Sequence, residues 1–130
     1  MPETVGMPPL ELLRHENFEN WYANNVQFYQ SEWDLKLVFG QLDWRNDHFA
    51  VEQHTGITMA WLQAKLLLHY LSIQVGVYEL SHGKIPIPAG ALPSDPIPPT
   101  PEQAKEPFIN QMYEYMKKRQ EEFLAELRSQ

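Results

Sequence analysis

Residues 22–83 open as YANNVQFYQSEWDLKLVFG and close as ITMAWLQAKLLLHYLSIQVGVYELSHG. The first stretch alternates with period two, as a half-buried strand does. Val26, Phe28 and Gln30 share one parity; Asn25, Gln27 and Tyr29 share the other. Ser31-Glu32-Trp33-Asp34 is short and polar enough to join two strands as a hairpin. Leu35, Leu37 and Phe39 then alternate with Lys36 and Val38, and Gly40 is expected to end the second strand. Residues 44–48 read as a polar loop. A third strand is expected over 50–59, with Val51, Ile57 and Met59 on one face and Gly56 marking a bulge.

The closing stretch predicts one long helix over 60–81, capped by Gly83. Its apolar residues form two stripes. One holds Ala64, Leu68, Leu71, Val75 and Tyr78; the other holds Leu62, Leu66, Ile73 and Val77. Lys65, Ser72 and Glu79, spaced by seven, form a narrow polar line. A helix that covers a sheet needs one apolar face, and this helix is apolar over most of its circumference. The pattern therefore implies an α+β module: a three-stranded antiparallel sheet packed by one long helix, residues 21–83, with more apolar surface than one copy can bury.

The flanks read differently. Residues 1–20 carry Pro2, Pro8 and Pro9 and form an N-terminal arm, with Pro9 suited to open a short helical turn. Residues 84–101 hold seven of the eleven prolines, so 84–100 reads as an extended connector. In polyproline form that connector reaches roughly 50 Å at ~3.1 Å per residue. Thr100-Pro101-Glu102-Gln103 announces a C-terminal helix over 101–130, with Thr100 as N-cap and Gln103 completing a capping box. Pro107 falls early in that helix and suggests a kink. Ile109, Met112, Met116, Phe123 and Leu127 give it an apolar edge. That edge can fold back in cis or dock on a neighbouring subunit.

Composition narrows the chemistry. The net charge of −7 opposes a general nucleic-acid binder or an anionic-lipid binder, both of which need a basic surface. No cysteine is present, which removes disulfides, thiolate catalysis and zinc-thiolate sites. Met1-Pro2-Glu3-Thr4-Val5 shows neither the basic nor the apolar part of a signal peptide. Gln63, Lys65, His69, Ser72 and Gln74 break the apolar run of the long helix, so no membrane span is expected and the cytoplasm is the expected compartment. No glycine-rich phosphate loop or nucleophile elbow occurs, and no cofactor is expected. His48 and His54, with Asp43 and Asp47 near them, are the candidate metal ligands, although their spacing matches no zinc signature. Ten of the sixteen aromatic residues lie between Phe18 and Trp61, interleaved with acids and amides rather than arginines. That favours a core and interface over a base-stacking platform.

Tyr22-Ala23-Asn24-Asn25-Val26, Asp34-Leu35-Lys36-Leu37-Val38-Phe39-Gly40, the run from Ile57 to Lys65, Tyr78-Glu79 and Gly83-Lys84-Ile85-Pro86 together resemble the uncharacterised prokaryotic family called domain of unknown function 3467. The resemblance covers residues 21–87. Members open the helix with Ser-Pro after the methionine; this chain has Ala60-Trp61, and Thr58 is the candidate replacement cap. The resemblance implies no activity and supplies no catalytic residues. The residues themselves lead to a non-enzymatic oligomeric scaffold or protein-binding subunit. Its expected partner is a second copy of itself, with another protein as the alternative. Its expected interface is Trp61, Leu62, Leu66, Ile73 and Val77 with Ile109, Met112, Met116, Phe123 and Leu127. The rivals are a chaperone-like holder of apolar segments and a small metal-dependent enzyme using His48 and His54.

Overall fold

The computed structural model describes residues 9–129. Met1-Pro2-Glu3-Thr4-Val5 and two of the arm's prolines, Pro2 and Pro8, lie outside the described residues. The chain divides into two units, Met1–Leu67 and Leu68–Gln130.

The first unit is a three-stranded antiparallel sheet in the order β1-β2-β3, with β1 Asn25–Gln30, β2 Asp34–Arg45 and β3 His48–Ala60. Ser31 builds the first connection. Its backbone N–H donates to the Asp34 carbonyl at 2.9 Å. Its hydroxyl oxygen accepts the N–H groups of Trp33 and Asp34 at 3.1 and 3.0 Å and donates to the Asp34 carboxylate at 2.8 Å. A single serine thus satisfies the turn that no Asn-Gly pair was present to form.

Gly40 does not end β2. The strand continues to Arg45, and the expected loop at 44–48 is a two-residue turn, Asn46-Asp47, between paired Arg45 and His48. Asn46 takes φ 55°, a conformation its short polar side chain tolerates. The glycine has another purpose. A Cβ at residue 40 would lie 2.7 Å from the Glu52 carbonyl oxygen. This is where the ladder slips: Phe39 pairs with Thr55, Gly40 with Gln53, and His54 is the extra residue. The bulge expected at Gly56 therefore belongs at His54, while Gly56 pairs with Val38 in regular register.

The bulge rephases β3. Leu35, Leu37, Phe39, Ile57 and Met59 share one face with Val26 and Phe28. Val51, expected beside Ile57 and Met59, is carried to the opposite face with Leu42, Trp44 and Phe49. The apolar side of the sheet thus changes hands across the Phe39/Gly40 step. Leu37, at the centre of the proximal face, is 7% exposed and is the one buried large hydrophobic among the described residues.

The long helix α1, Trp61–His82, follows β3 without a loop. Thr58 pairs with Lys36 inside β3, so it is a strand residue and not the helix cap. Gly83 ends α1 at φ 86°, donating its N–H to the Glu79 carbonyl at 2.9 Å. No residue of α1 is buried.

In the second unit, the reciprocal capping box forms as the sequence predicts. Thr100 N–H donates to Gln103 Oε1 at 2.9 Å, and Gln103 N–H donates to the Thr100 hydroxyl at 3.2 Å. It caps only the short 3-10 turn Gln103–Lys105, however. The helix proper, α2, runs Pro107–Arg128, so Pro107 starts it and causes no kink.

Candidate interaction surfaces

The segment just ahead of β1, residues 21–24, meets the sheet at the bulge. Residues 9–14 contain no helical turn at Pro9; a turn forms instead where Phe18 N–H donates to the His15 carbonyl at 2.9 Å. Asn24 then imitates a strand residue. Its Oδ1 accepts the Leu42 N–H at 2.6 Å and its Nδ2 donates to the Leu42 carbonyl at 3.4 Å. The Trp21 ring stacks on the His54 ring at 4.7 Å between centroids. His54 Nε2 lies 3.0 Å from the Tyr22 carbonyl and Nδ1 lies 2.8 Å from the Thr55 hydroxyl. A carbonyl only accepts, so Nε2 carries the proton toward Tyr22, and in the neutral ring Nδ1 accepts from Thr55. The bulge residue is thereby a clasp between the 21–24 segment and the sheet.

That geometry separates the two candidate metal ligands. His48 sits at the hairpin turn with Nδ1 3.0 Å from the Asp47 carboxylate, six residues along β3 from His54. The structure does not bring them together, and no group of three His, Asp or Glu residues able to hold a metal ion occurs among the described residues. Across the hairpin, Arg45 Nη2 donates to Glu52 Oε2 at 2.6 Å. This hydrogen bond, and then the charge of Glu52, raise the guanidinium pKa above its usual value.

The distal hairpin carries an apolar patch that alternation alone did not reveal. Trp44 and Phe49 pair across the strands edge to face at 4.8 Å, and both are exposed. The signal available in the sequence was Gly40 itself, a glycine inside a strand pattern.

On α1, the predicted interface residues Trp61, Leu62, Leu66, Ile73 and Val77 are all exposed. The Trp61 indole N–H donates to the Ser31 carbonyl at 3.0 Å, which ties the helix start to the first hairpin.

Within the second unit the connector runs back beside α2. The Gln120 side-chain amide donates to the Pro93 carbonyl at 2.8 Å, and Lys84 pairs with Glu126 at 3.6 Å. Ile85 and Ile87 lie beside Leu127, and Pro96 beside Tyr113 and Leu124. Ile87, Pro96 and Pro99 are the half-buried connector residues, separated by multiples of three, the period of a polyproline helix. The covered edge of α2 is Ile109, Tyr113, Gln120, Leu124 and Leu127, so Ile109 and Leu127 of the predicted edge are half-buried while Met112, Met116 and Phe123 stay exposed.

The family model for proteins of unknown function (DUF3467) matches residues 2–87. The chain belongs to that family. The DUF3467 match takes in the arm, the sheet, α1 and the first residues of the connector, and stops before the capping box and α2. The segment that clasps the bulge is therefore part of the DUF3467 unit. No curated protein and no solved structure matches the chain. No helix among the described residues is long and apolar enough to cross a membrane.

Proposed function

We propose that the chain is a non-enzymatic, homo-oligomeric scaffold or protein-binding subunit. One observation carries this reading: Leu37 is the one buried large hydrophobic among the described residues, while α1 buries none of its 22. Ordering a residue costs on the order of 1–2 kcal/mol in backbone entropy. Fully burying a Leu or Phe returns roughly 1.5–3 kcal/mol. One buried side chain cannot offset the ordering of a sheet and a 22-residue helix, so a second surface must complete the core. Light scattering on the purified full chain at micromolar concentration is expected to give a mass at least twice 15.3 kDa. A monomeric mass overturns the reading.

A second reading, a holder of apolar segments, draws support from the exposed Trp44–Phe49 pair. It predicts suppression of a test protein's aggregation at near-stoichiometric amounts without nucleotide, and loss of that effect in a Trp44→Ser, Phe49→Ser variant. Equal light scattering with and without the chain removes this reading.

A further inference from the structure

This inference rests on the homo-oligomeric reading and names the surface that makes it. α1 is one continuous helix from Trp61 to His82 with no buried residue. Along it, Trp61, Ala64, Leu68, Leu71, Val75 and Tyr78 recur at alternating steps of three and four. That is the seam of a two-helix coiled coil, the a and d positions of successive heptads. None of the six is buried, and Leu68 is 65% exposed.

The two charged residues of α1 are Lys65 and Glu79. They stand seven residues before and seven after Ser72, on one edge of that seam. Lys65 forms no ion pair with any described residue. Glu79 accepts the Ile85 N–H on one carboxylate oxygen at 2.8 Å and has a second to offer. Ser72 donates its hydroxyl to the His69 carbonyl at 2.6 Å, so its small side chain needs no partner at the centre.

We propose that α1 pairs antiparallel with α1 of a second copy about a two-fold axis at Ser72. Lys65 of each copy then meets Glu79 of the other, twice. In the seam, Leu68 packs against Tyr78 of the other copy, and Leu71 against Val75. Parallel pairing would instead set Lys65 opposite Ala60 and Glu79 opposite Gln74 of the other copy, leaving both charges without an opposite charge across the seam. Charges flanking a seam choose partner and orientation in this way, and self-complementarity is what a two-fold interface requires.

The test uses the full chain. Lys65→Glu and Glu79→Lys each turn two attractive pairs into two repulsive ones. Each variant is expected to raise the dissociation constant of the assembly roughly tenfold or more. Mixed one to one, the two defective variants are expected to regain the wild-type mass. In the mixed pair, one copy carries a carboxylate at both positions and the other an ammonium at both, so opposite charges meet at each contact. Circular dichroism of each variant separates a lost interface from a lost fold. The chain contains no cysteine, so a Ser72→Cys variant has a single thiol. A short bis-maleimide is expected to link it into a dimer. It should not link a Ser81→Cys variant, whose two thiols would sit about 27 Å apart along the paired helices at 1.5 Å per residue. Wild-type affinity in both charge variants, or linkage at both cysteine sites, overturns the antiparallel pairing and leaves the oligomeric reading standing. A monomeric wild type instead removes that reading.

Discussion

Gly40→Val is expected to be among the most damaging single changes in the sheet, replacing a cooperative thermal transition with a broad, low one. A Cβ at this position would lie 2.7 Å from the Glu52 carbonyl oxygen, 2.8 Å from Val51 Cγ1 and 3.0 Å from Gln53 Cα. Two of those three atoms belong to the backbone of β3, so no side-chain rotation relieves them. Overpacking a well-filled site typically costs about 1–3 kcal/mol, and valine adds two methyl groups beyond the clashing Cβ. An opposing effect exists: replacing glycine restricts the unfolded chain, a gain of about 0.4–1 kcal/mol where the native conformation permits it. The clash outweighs that gain at residue 40. Gly56 supplies the control. A Cβ there meets only Lys36 Cε, at 3.5 Å, the far end of a flexible side chain. Gly56→Ala is therefore expected to melt at or slightly above the parent temperature. Gly40→Val melting within a degree or two of the parent would refute the close-approach account of the bulge.

The same glycine marks where the sequence stopped being legible. Period-two alternation located β1 and the proximal part of β2, because Val26 and Phe28 in one and Leu35, Leu37 and Phe39 in the other fall on a single parity and share one face. It failed past Gly40. β2 puts Phe39 and Leu42 on opposite faces, a step of three that ends a simple alternation. β3 keeps Val51, Ile57 and Met59 on one sequence parity while the extra residue His54 moves Val51 to the other face. A bulge is a property of two strands, so neither strand announces it alone. α1 was legible because its length, apolar content and terminal glycine are local signals. The Thr100–Gln103 box was legible for the same reason, but the helix expected from it begins six residues later, at Pro107. Gln103–Lys105 tighten into a 3-10 turn, and Pro107 is better suited to open the helix than to continue one. The path of the connector was not legible. Composition implied its extended character, but not that it runs beside its own α2, where Gln120 donates to the Pro93 carbonyl and Pro96 lies beside Tyr113 and Leu124.

Leu37→Ala is expected to lower stability by about 2–5 kcal/mol, the range for truncating a buried Leu where the surroundings relax only in part. Leu37 lies on the central strand, between Phe28 of β1 and Ile57 of β3 on the same face. Those neighbours belong to two different partner strands, so the hole cannot close without shifting both ladders. Phe28 is 59% exposed and Ile57 45%, so truncating either removes contacts that water already shares. The ranking is thus Leu37→Ala well below Ile57→Ala, although the isoleucine loses the same number of carbon atoms. For a domain of this size about 1 kcal/mol corresponds to roughly 2–8 °C in Tm, so Leu37→Ala should melt at least several degrees below Ile57→Ala. The comparison also reports on assembly. If a second copy covers the proximal sheet face, Phe28 and Ile57 gain the burial they lack in the single chain. The gap between the two variants should then narrow as protein concentration rises. Equal melting temperatures for the two at every concentration would contradict Leu37 as the centre of the core.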